Sequence, residues 1–157
     1  MEPARGFDVT RREWLTLFVA LEGAPDGLDP VRIQKGMFLF AMESNVPTRD
    51  RYEFKPYDYG PMSAAIYQDL DLLVERGLIE RVPVPGKNWS RFRATSRGHE
   101  AGQEALAKAE AERRLDAARR LYDIKQRVAG LPFNALLASV YHDYPEYAVK
   151  SVFVGAG

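Results

Sequence analysis

The chain has 157 residues, 46% of them hydrophobic, with 22 basic and 22 acidic residues and no cysteine. This length and composition favour one folded domain, or a domain with an appendage, and the missing cysteine excludes a disulfide framework, a thiolate zinc site and a cysteine nucleophile. Because the net charge is zero, any contact with nucleic acid must come from a local basic patch.

Two helices are predicted near the amino terminus. Thr10, followed three residues later by Glu13, has the spacing of a capping box, and apolar residues then recur at helical spacing up to Leu21. Asp29 before Pro30 has the pattern of an N-cap residue ahead of a proline in the first turn. A second helix is therefore predicted from here to about residue 44.

An extended segment and a third helix follow. Residues 48–58 alternate aromatic and charged side chains, which predicts a short strand or extended loop with one aromatic face. The third helix is predicted to begin at Gly60-Pro61 and to end at Arg76, with Tyr67 on its buried stripe. Gly77 then suits the left-handed conformation of a helix C-cap.

A β-hairpin is predicted after this helix, with strands at 78–82 and 89–95 around a turn that contains Pro85-Gly86. A long charged helix is predicted from Ser96 to Ala129, and a short one over 133–144. A helix followed by a hairpin is the second half of a winged helix-turn-helix. The predicted fold class is therefore mainly α with a small β-hairpin, a winged helix-turn-helix plus a long C-terminal helix.

The sequence divides into a winged-helix domain over residues 7–97 and a carboxy-terminal segment over residues 98–157. The long helix of this segment carries a narrow apolar stripe, which fits either a seam between two copies or a helix that packs on its own domain. We expect a homodimer, because contact through this helix would set two hairpins at a fixed spacing. The stripe consists of Leu106, Ala109, Arg113, Ala117, Leu121, Ile124 and Val128.

The hairpin is the stronger candidate for contact with duplex DNA. Its cations and a polar turn residue suit a wing that contacts the DNA backbone or the minor groove. The candidate residues are Arg81, Lys87, Asn88, Arg91, Arg93 and Arg97. The alternative is an ordinary hairpin whose charges keep its edge from aggregating.

The helix before the hairpin is a weaker candidate. Ser63 and Gln68 are the residues that would enter a DNA groove at its amino-terminal end. The carboxylates of Asp69, Asp71 and Glu75 are expected on or near the solvent face, where they would repel phosphates. We therefore expect this helix to be structural rather than base-reading.

Aromatic residues precede that helix. Phe54 is expected in the core beneath the loop. The roles of Tyr57 and Tyr59 remain open, because these side chains are suited to stacking on bases, to contacting a protein partner or to closing the core.

No chemistry is predicted. His99 and His142 are far apart in the sequence, and no metal-ligand, phosphate-loop or nucleophile motif is present. We predict no enzyme activity, catalytic residue, metal or cofactor. The sequence contains no run of about 18 apolar residues, so no transmembrane helix is predicted. Residues 1–6 lack the apolar stretch of a signal peptide. We therefore expect a cytoplasmic protein without membrane contact.

Three segments resemble the Panacea (SocA-like) antitoxin domain and its YwgA-like relatives. Ile33 to Phe40 resembles the helix of that group in which Gln-Lys precedes hydrophobic residues, and Phe54 to Ser63 resembles its aromatic and Tyr-Gly-Pro motif. Leu73 to Ile79 resembles its Leu-x-x-x-Gly-Leu-Ile ending. The resemblance implies a small winged-helix-like domain in toxin neutralisation, phage defence or regulation, and it brings no catalytic residues.

Thr95 to Gly98 resembles instead the strand-ending Leu-Thr-x-x-Gly of MarR- and PadR-type regulators, which implies DNA binding. Two functions therefore stay open. The first is a DNA-binding transcriptional regulator that uses the basic hairpin. The second is a protein-interaction module of antitoxin or defence-adaptor type, which binds a toxin or defence protein and no DNA. The hairpin favours the first, and the neutral net charge favours the second.

Overall fold

The computed structural model describes residues 8–152. In this range the chain is mainly helical with two short antiparallel hairpins, which confirms the predicted fold class of a mainly α protein with a β-hairpin. None of the helices described is long and apolar enough to cross a membrane. The elements are α1 (Arg11–Ala20), α2 (Pro30–Glu43), β1 (Lys55–Tyr57), β2 (Gly60–Met62), α3 (Ala64–Glu75), β3 (Ile79–Pro83), β4 (Ser90–Ala94), α4 (Ser96–Ala111), α5 (Leu115–Gly130) and α6 (Phe133–Asp143), with 3-10 turns at Thr48–Asp50 and Pro145–Ala148.

The first two helices begin where their capping residues predict. Thr10 Oγ1 accepts a hydrogen bond from the Glu13 backbone N–H at 3.2 Å, and the Glu13 carboxylate accepts one from the Thr10 N–H at 2.9 Å. The Asp29 carboxylate accepts a hydrogen bond from the Arg32 N–H at 2.8 Å, just ahead of Pro30. These side chains satisfy backbone groups that would otherwise lack a partner at a helix start.

A strand contact that the sequence did not predict adds a third segment to the sheet of the second hairpin. The Leu28 N–H donates to the Phe92 carbonyl at 2.9 Å, and the Phe92 N–H donates to the Leu28 carbonyl at 2.8 Å. β3 pairs with the other edge of β4. The order α1, Leu28, α2, α3, β3, β4 is that of a winged helix-turn-helix, and we call residues 79–94 the wing.

The connection between α2 and α3 contains a hairpin, where the start of a helix was predicted. Gly60–Met62 forms β2 and pairs with β1, and α3 begins at Ala64. Gly60 has φ of +91°, in the left-handed region that favours glycine, so the chain turns at this position. The expectation that Phe54 joins the core is confirmed, because its ring packs edge-on against Phe38 at 5.4 Å.

The single helix predicted from Ser96 to Ala129 needs correction, because the structure has two helices there. α4 ends at Ala111, α5 begins at Leu115, and Arg113 between them has φ of +60°. The apolar spacing continues across the break, so periodicity did not reveal it. α4 packs mainly on α1, and α5 packs mainly on α2.

Most of the apolar stripe of these helices is buried within the chain. Five of its members are at most 5% exposed and belong to the common core: Ala109, Ala117, Leu121, Ile124 and Val128. These five side chains therefore pack on their own domain, while Leu106 and Arg113 stay exposed. The predicted division between residues 97 and 98 falls inside the first turn of α4, and residues from both sides of it share this core. The homodimer stays a prediction that needs another surface.

One lysine connects α5 to α1 inside the core. Lys125 is 1% exposed, and its ammonium donates to three carbonyls at the end of α1, those of Phe18 at 2.7 Å, Val19 at 3.0 Å and Leu21 at 2.7 Å. Burial lowers the pKa of Lys125 to about 8. A positive charge at a helix carboxyl end is favourable, so this contact stabilises the docking of the two helices.

The base of the wing is fastened to α4 by residues 95–98. Thr95 Oγ1 accepts from the Gly98 N–H at 3.1 Å and donates to the Gly77 carbonyl at 2.6 Å. A Cβ on Gly98 would lie only 1.8 Å from the Leu78 carbonyl oxygen. Glycine is therefore required at this position for α4 to approach the strand.

Gly98→Ala is expected to lower the free energy of unfolding by about 2–3 kcal/mol, because the new methyl group forces the backbone apart. The matched control is Gly130→Ala, also in a helix, where an added Cβ meets no atom within 4 Å. This change is expected to stay within about 0.5 kcal/mol of the wild type. Urea unfolding followed by circular dichroism measures both values, and equal effects would contradict the close contact at Gly98.

Candidate functional site

The cations of the wing lie on two different faces. The strand register places Glu80 opposite Arg93, and Arg91 lies two residues from Arg93 on the same face. Arg81 lies opposite Phe92 and points to the other face of the hairpin. The predicted DNA-binding residues therefore do not form one continuous patch.

Two of these cations are paired within the chain. Arg93 Nε donates to the Glu80 carboxylate at 2.7 Å, and Arg81 forms an ion pair with Asp71 of α3. The Arg81 guanidinium also lies over the Phe92 ring at 5.7 Å. Exposed pairs of this kind contribute only about 0–1 kcal/mol to stability. They nevertheless place a carboxylate beside each cation, which weakens its attraction for phosphate.

Three of the predicted cations have no such neighbour. Lys87 in the wing turn and Arg97 in the first turn of α4 are exposed, and Arg91 is half-buried. Within residues 8–152 none of the three forms an ion pair. Asn88 is exposed beside Lys87. Positive charge is therefore available at the tip of the wing and at its base.

A fourth cation, which the sequence analysis did not assign to the site, extends the base. Arg97 Nη1 lies 3.4 Å from the place that a Cβ on Gly77 would take, so the guanidinium covers the turn after α3. Arg76, the residue before Gly77, is exposed and forms no ion pair with the residues described. Arg76 could have been assigned to the candidate site from the sequence, because it lies at the predicted end of the helix, just before the hairpin.

The solvent face of α3 is less acidic than predicted. Asp69 is 7% exposed, and its carboxylate accepts hydrogen bonds from Tyr52 Oη at 2.6 Å and Arg12 Nε at 3.2 Å. The expectation that Asp69 faces solvent is therefore wrong. Asp71 is paired with the wing, which leaves Glu75 as the one exposed carboxylate of α3 without an ion pair among the residues described.

Ser63 and Gln68, the two candidate groove residues, differ in their positions. Ser63 is 4% exposed; its N–H donates to Gln34 Oε1 and its carbonyl accepts from Gln34 Nε2, both at 2.9 Å. Gln68 is exposed. Ser63 is thus inside the fold, where it fixes the start of α3, and cannot face a groove in this conformation.

Lys35 is buried next to this contact. It is 2% exposed, and its ammonium donates to the Pro61 carbonyl at 3.2 Å. Burial lowers the pKa of Lys35 to about 7, while the charge of Asp29 opposes the change. Gln34 and Lys35 together hold β2 and the start of α3 on α2. The Gln-Lys and Tyr-Gly-Pro motifs therefore meet in space.

Three exposed tyrosines lie on α3 and the β1–β2 hairpin, and we call them the tyrosine surface: Tyr57 (50% exposed), Tyr59 (43%) and Tyr67 (42%). Burial raises the pKa of Tyr67, a hydrogen bond with the Gln34 side chain opposes this change, and the charge of Tyr57 adds to it. The Tyr59 ring packs edge-on against Phe133 at 5.9 Å. The sequence leaves the roles of Tyr57 and Tyr59 open. Helical spacing predicts that Tyr67 lies on the buried stripe of the third helix, but in the structure it is 42% exposed.

No protein-family model matches this chain, and no curated protein is significantly similar to it. The resemblances to Panacea-like domains and to MarR- and PadR-type regulators therefore stay predictions. His99 and His142 are both exposed. In the part of the chain that the structure describes, no group of three or more histidine or acidic residues could hold a metal ion.

Lys35→Met is expected to weaken the rise of stability with pH. The pKa of Lys35 is about 7 in the folded protein and near 10.5 when unperturbed, so between these values the unfolded chain binds more protons. The free energy of unfolding therefore increases with pH in this window. Urea unfolding across this window measures the slope, which should be smaller for Lys35→Met than for the wild type. Lys150→Met, at an exposed lysine, is the control and should keep the wild-type slope; parallel curves for all three proteins would contradict the assignment.

Proposed function

We propose that the protein is a non-enzymatic winged-helix regulator that binds duplex DNA through its wing. The observation that supports this most directly is the set of cations at the tip and base of the wing that form no ion pair with any described residue: Lys87, Arg91, Arg97 and Arg76. Contacts between such side chains and phosphates supply most of the sequence-independent affinity for DNA.

The two ends of the wing would contact different phosphates. Each strand of the wing has five residues, which corresponds to about 17 Å at roughly 3.4 Å per residue. Along a duplex this distance covers about five base-pair steps at 3.4 Å per step. Lys87 and Asn88 at the tip and Arg97 at the base can therefore track the backbone together.

α3 would contribute little to base reading. The exposed residues of its amino-terminal half are Ala64, Tyr67 and Gln68, of which only Gln68 is a common base-reading residue. We therefore propose binding with weak sequence preference and a steep dependence on salt, in which the wing supplies the affinity.

A second function, as a protein-interaction module of antitoxin or defence-adaptor type, is supported by the tyrosine surface. Tyrosine is enriched at protein–protein interfaces and among the residues that dominate their binding energy. Tyr57 and Tyr59, the residues proposed for partner contact, are both exposed on one short hairpin. This function requires no contact with DNA.

We also propose that the protein acts in the cytoplasm as a homodimer. The absence of cysteine from the sequence fits that compartment. Leu106 of α4 and Leu115 of α5 keep exposed apolar side chains that are available for self-association.

The double variant Lys87→Ala/Arg91→Ala tests DNA binding. Each lost phosphate contact lowers the slope of log affinity against log salt by about 0.9, so the slope should fall by about 2. Fluorescence anisotropy with a labelled random duplex, over about 50–200 mM salt, measures it. Arg119→Ala/Lys150→Ala removes the same charge from exposed positions outside the wing, and this control should keep most of the wild-type slope.

Two results would contradict the proposal. Equal losses in both variants would mean that net charge, and not the wing, determines the affinity. A wild-type protein that binds no duplex at low salt would rule out the first function and leave the protein-interaction function standing.

A further inference from the structure

We infer that the tyrosine surface is a docking site for an arginine-bearing segment of a protein partner, an inference that rests on the protein-interaction function. The site consists of Tyr57, Tyr59 and Tyr67 together with Asp58 in the turn between β1 and β2. Its chemistry, its rigidity and the geometry of the hairpin each support this class of partner.

Asp58 supplies the charge that selects the partner. It is exposed between Tyr57 and Tyr59, and in residues 8–152 its carboxylate forms no ion pair and no side-chain hydrogen bond. A guanidinium can form two parallel hydrogen bonds to a carboxylate while its flat face stacks on an aromatic ring. The same carboxylate repels phosphate, which makes nucleic acid the less suitable occupant.

The turn is held in place by its own chain. The Asp58 carbonyl accepts a hydrogen bond from the Val152 N–H at 2.9 Å. On the inner side Tyr141 is so close that a Cβ on Gly60 would lie 3.0 Å from its ring, and the Tyr141 hydroxyl bonds to the Ser151 hydroxyl at 2.6 Å. Binding to a surface that is already ordered loses less conformational entropy.

The hairpin is unsuited to binding a partner by strand addition. Pro56 and Pro61 lie opposite each other in β1 and β2. Proline has no N–H to donate to an added strand, so it interrupts pairing at both edges. Recognition must therefore use side chains, and the Tyr57-Asp58-Tyr59 turn provides them.

The site is also separate from the wing. Among residues 8–152 the wing carries cations that form no ion pair, while the turn of this hairpin carries a carboxylate between two tyrosines, with Lys55 at the start of β1. One molecule could therefore hold a DNA duplex and a basic protein segment at the same time, on different hairpins.

A random dodecapeptide library displayed on phage and selected on the full chain tests this inference. Enriched peptides should share an arginine. A synthetic copy of one enriched peptide, measured by calorimetry, should lose at least tenfold in affinity for Asp58→Asn and for Tyr57→Ala. Replacing its arginine by the neutral isostere citrulline should cause a similar loss.

Tyr122 and Asp123 offer a matched control, because they are an adjacent, exposed tyrosine and aspartate on α5. Tyr122→Ala and Asp123→Asn should bind the peptide within twofold of the wild type. Asp58→Asn removes the charge but keeps the size and shape of the side chain. Circular dichroism checks that each variant is folded.

The outcomes separate this inference from both proposed functions. No enrichment, or enriched peptides without arginine, would overturn it. Peptides that bind equally well to Asp58→Asn would also overturn it while leaving a protein-interaction function elsewhere on the surface. The wing variant Lys87→Ala/Arg91→Ala should bind the peptide as tightly as the wild type does. Loss of DNA binding can therefore be distinguished from loss of peptide binding.

Discussion

The side-chain amide of Gln34 bonds both main-chain groups of Ser63, and the arrangement of both candidate surfaces depends on this contact. Leaving one member of such a buried pair unsatisfied costs about 1–3 kcal/mol, so the start of α3 has one favoured position on α2. Lys35 holds the preceding strand to the same helix. The direction of α3 then determines where Tyr67 and Gln68 reach the surface and where the wing begins.

The wing and the turn of the β1–β2 hairpin differ in charge, although the chain as a whole is neutral. The turn carries Asp58, while the hairpin also carries Lys55 at the start of β1. Ion pairs remove much of the charge that composition suggests for the wing, since Arg81 and Arg93 each have a carboxylate neighbour. Burial removes charge from α3, because Asp69 is bonded to Tyr52. What is left is a cationic tip and base on one hairpin and an acidic aromatic turn on the other. These two candidate surfaces correspond to the two functions that the sequence leaves open.

The features that could be predicted from the sequence are those that neighbouring residues determine. Thr10 and its capping box and the Gly77 helix end depend on contacts within a few residues, and the structure has both. The features that the sequence did not predict depend on contacts between residues that are distant in the chain. Leu28 forms a single bridge too short to leave a strand pattern, and Asp69 is drawn inward by residues from two other segments. The break at Arg113 has no glycine or proline to mark it. The candidate cations could be identified from the sequence, but their ion pairs could not, because each pair joins residues that are distant in the chain.

Hydrogen–deuterium exchange of the full chain, with and without a random duplex at low salt, tests most directly the claim that the two hairpins have separate roles. We expect slower exchange in the presence of DNA at residues 84–97 and at the turn after α3, with no change at residues 55–62. Protection confined to residues 55–68, or an unchanged wing when DNA is bound, would contradict it.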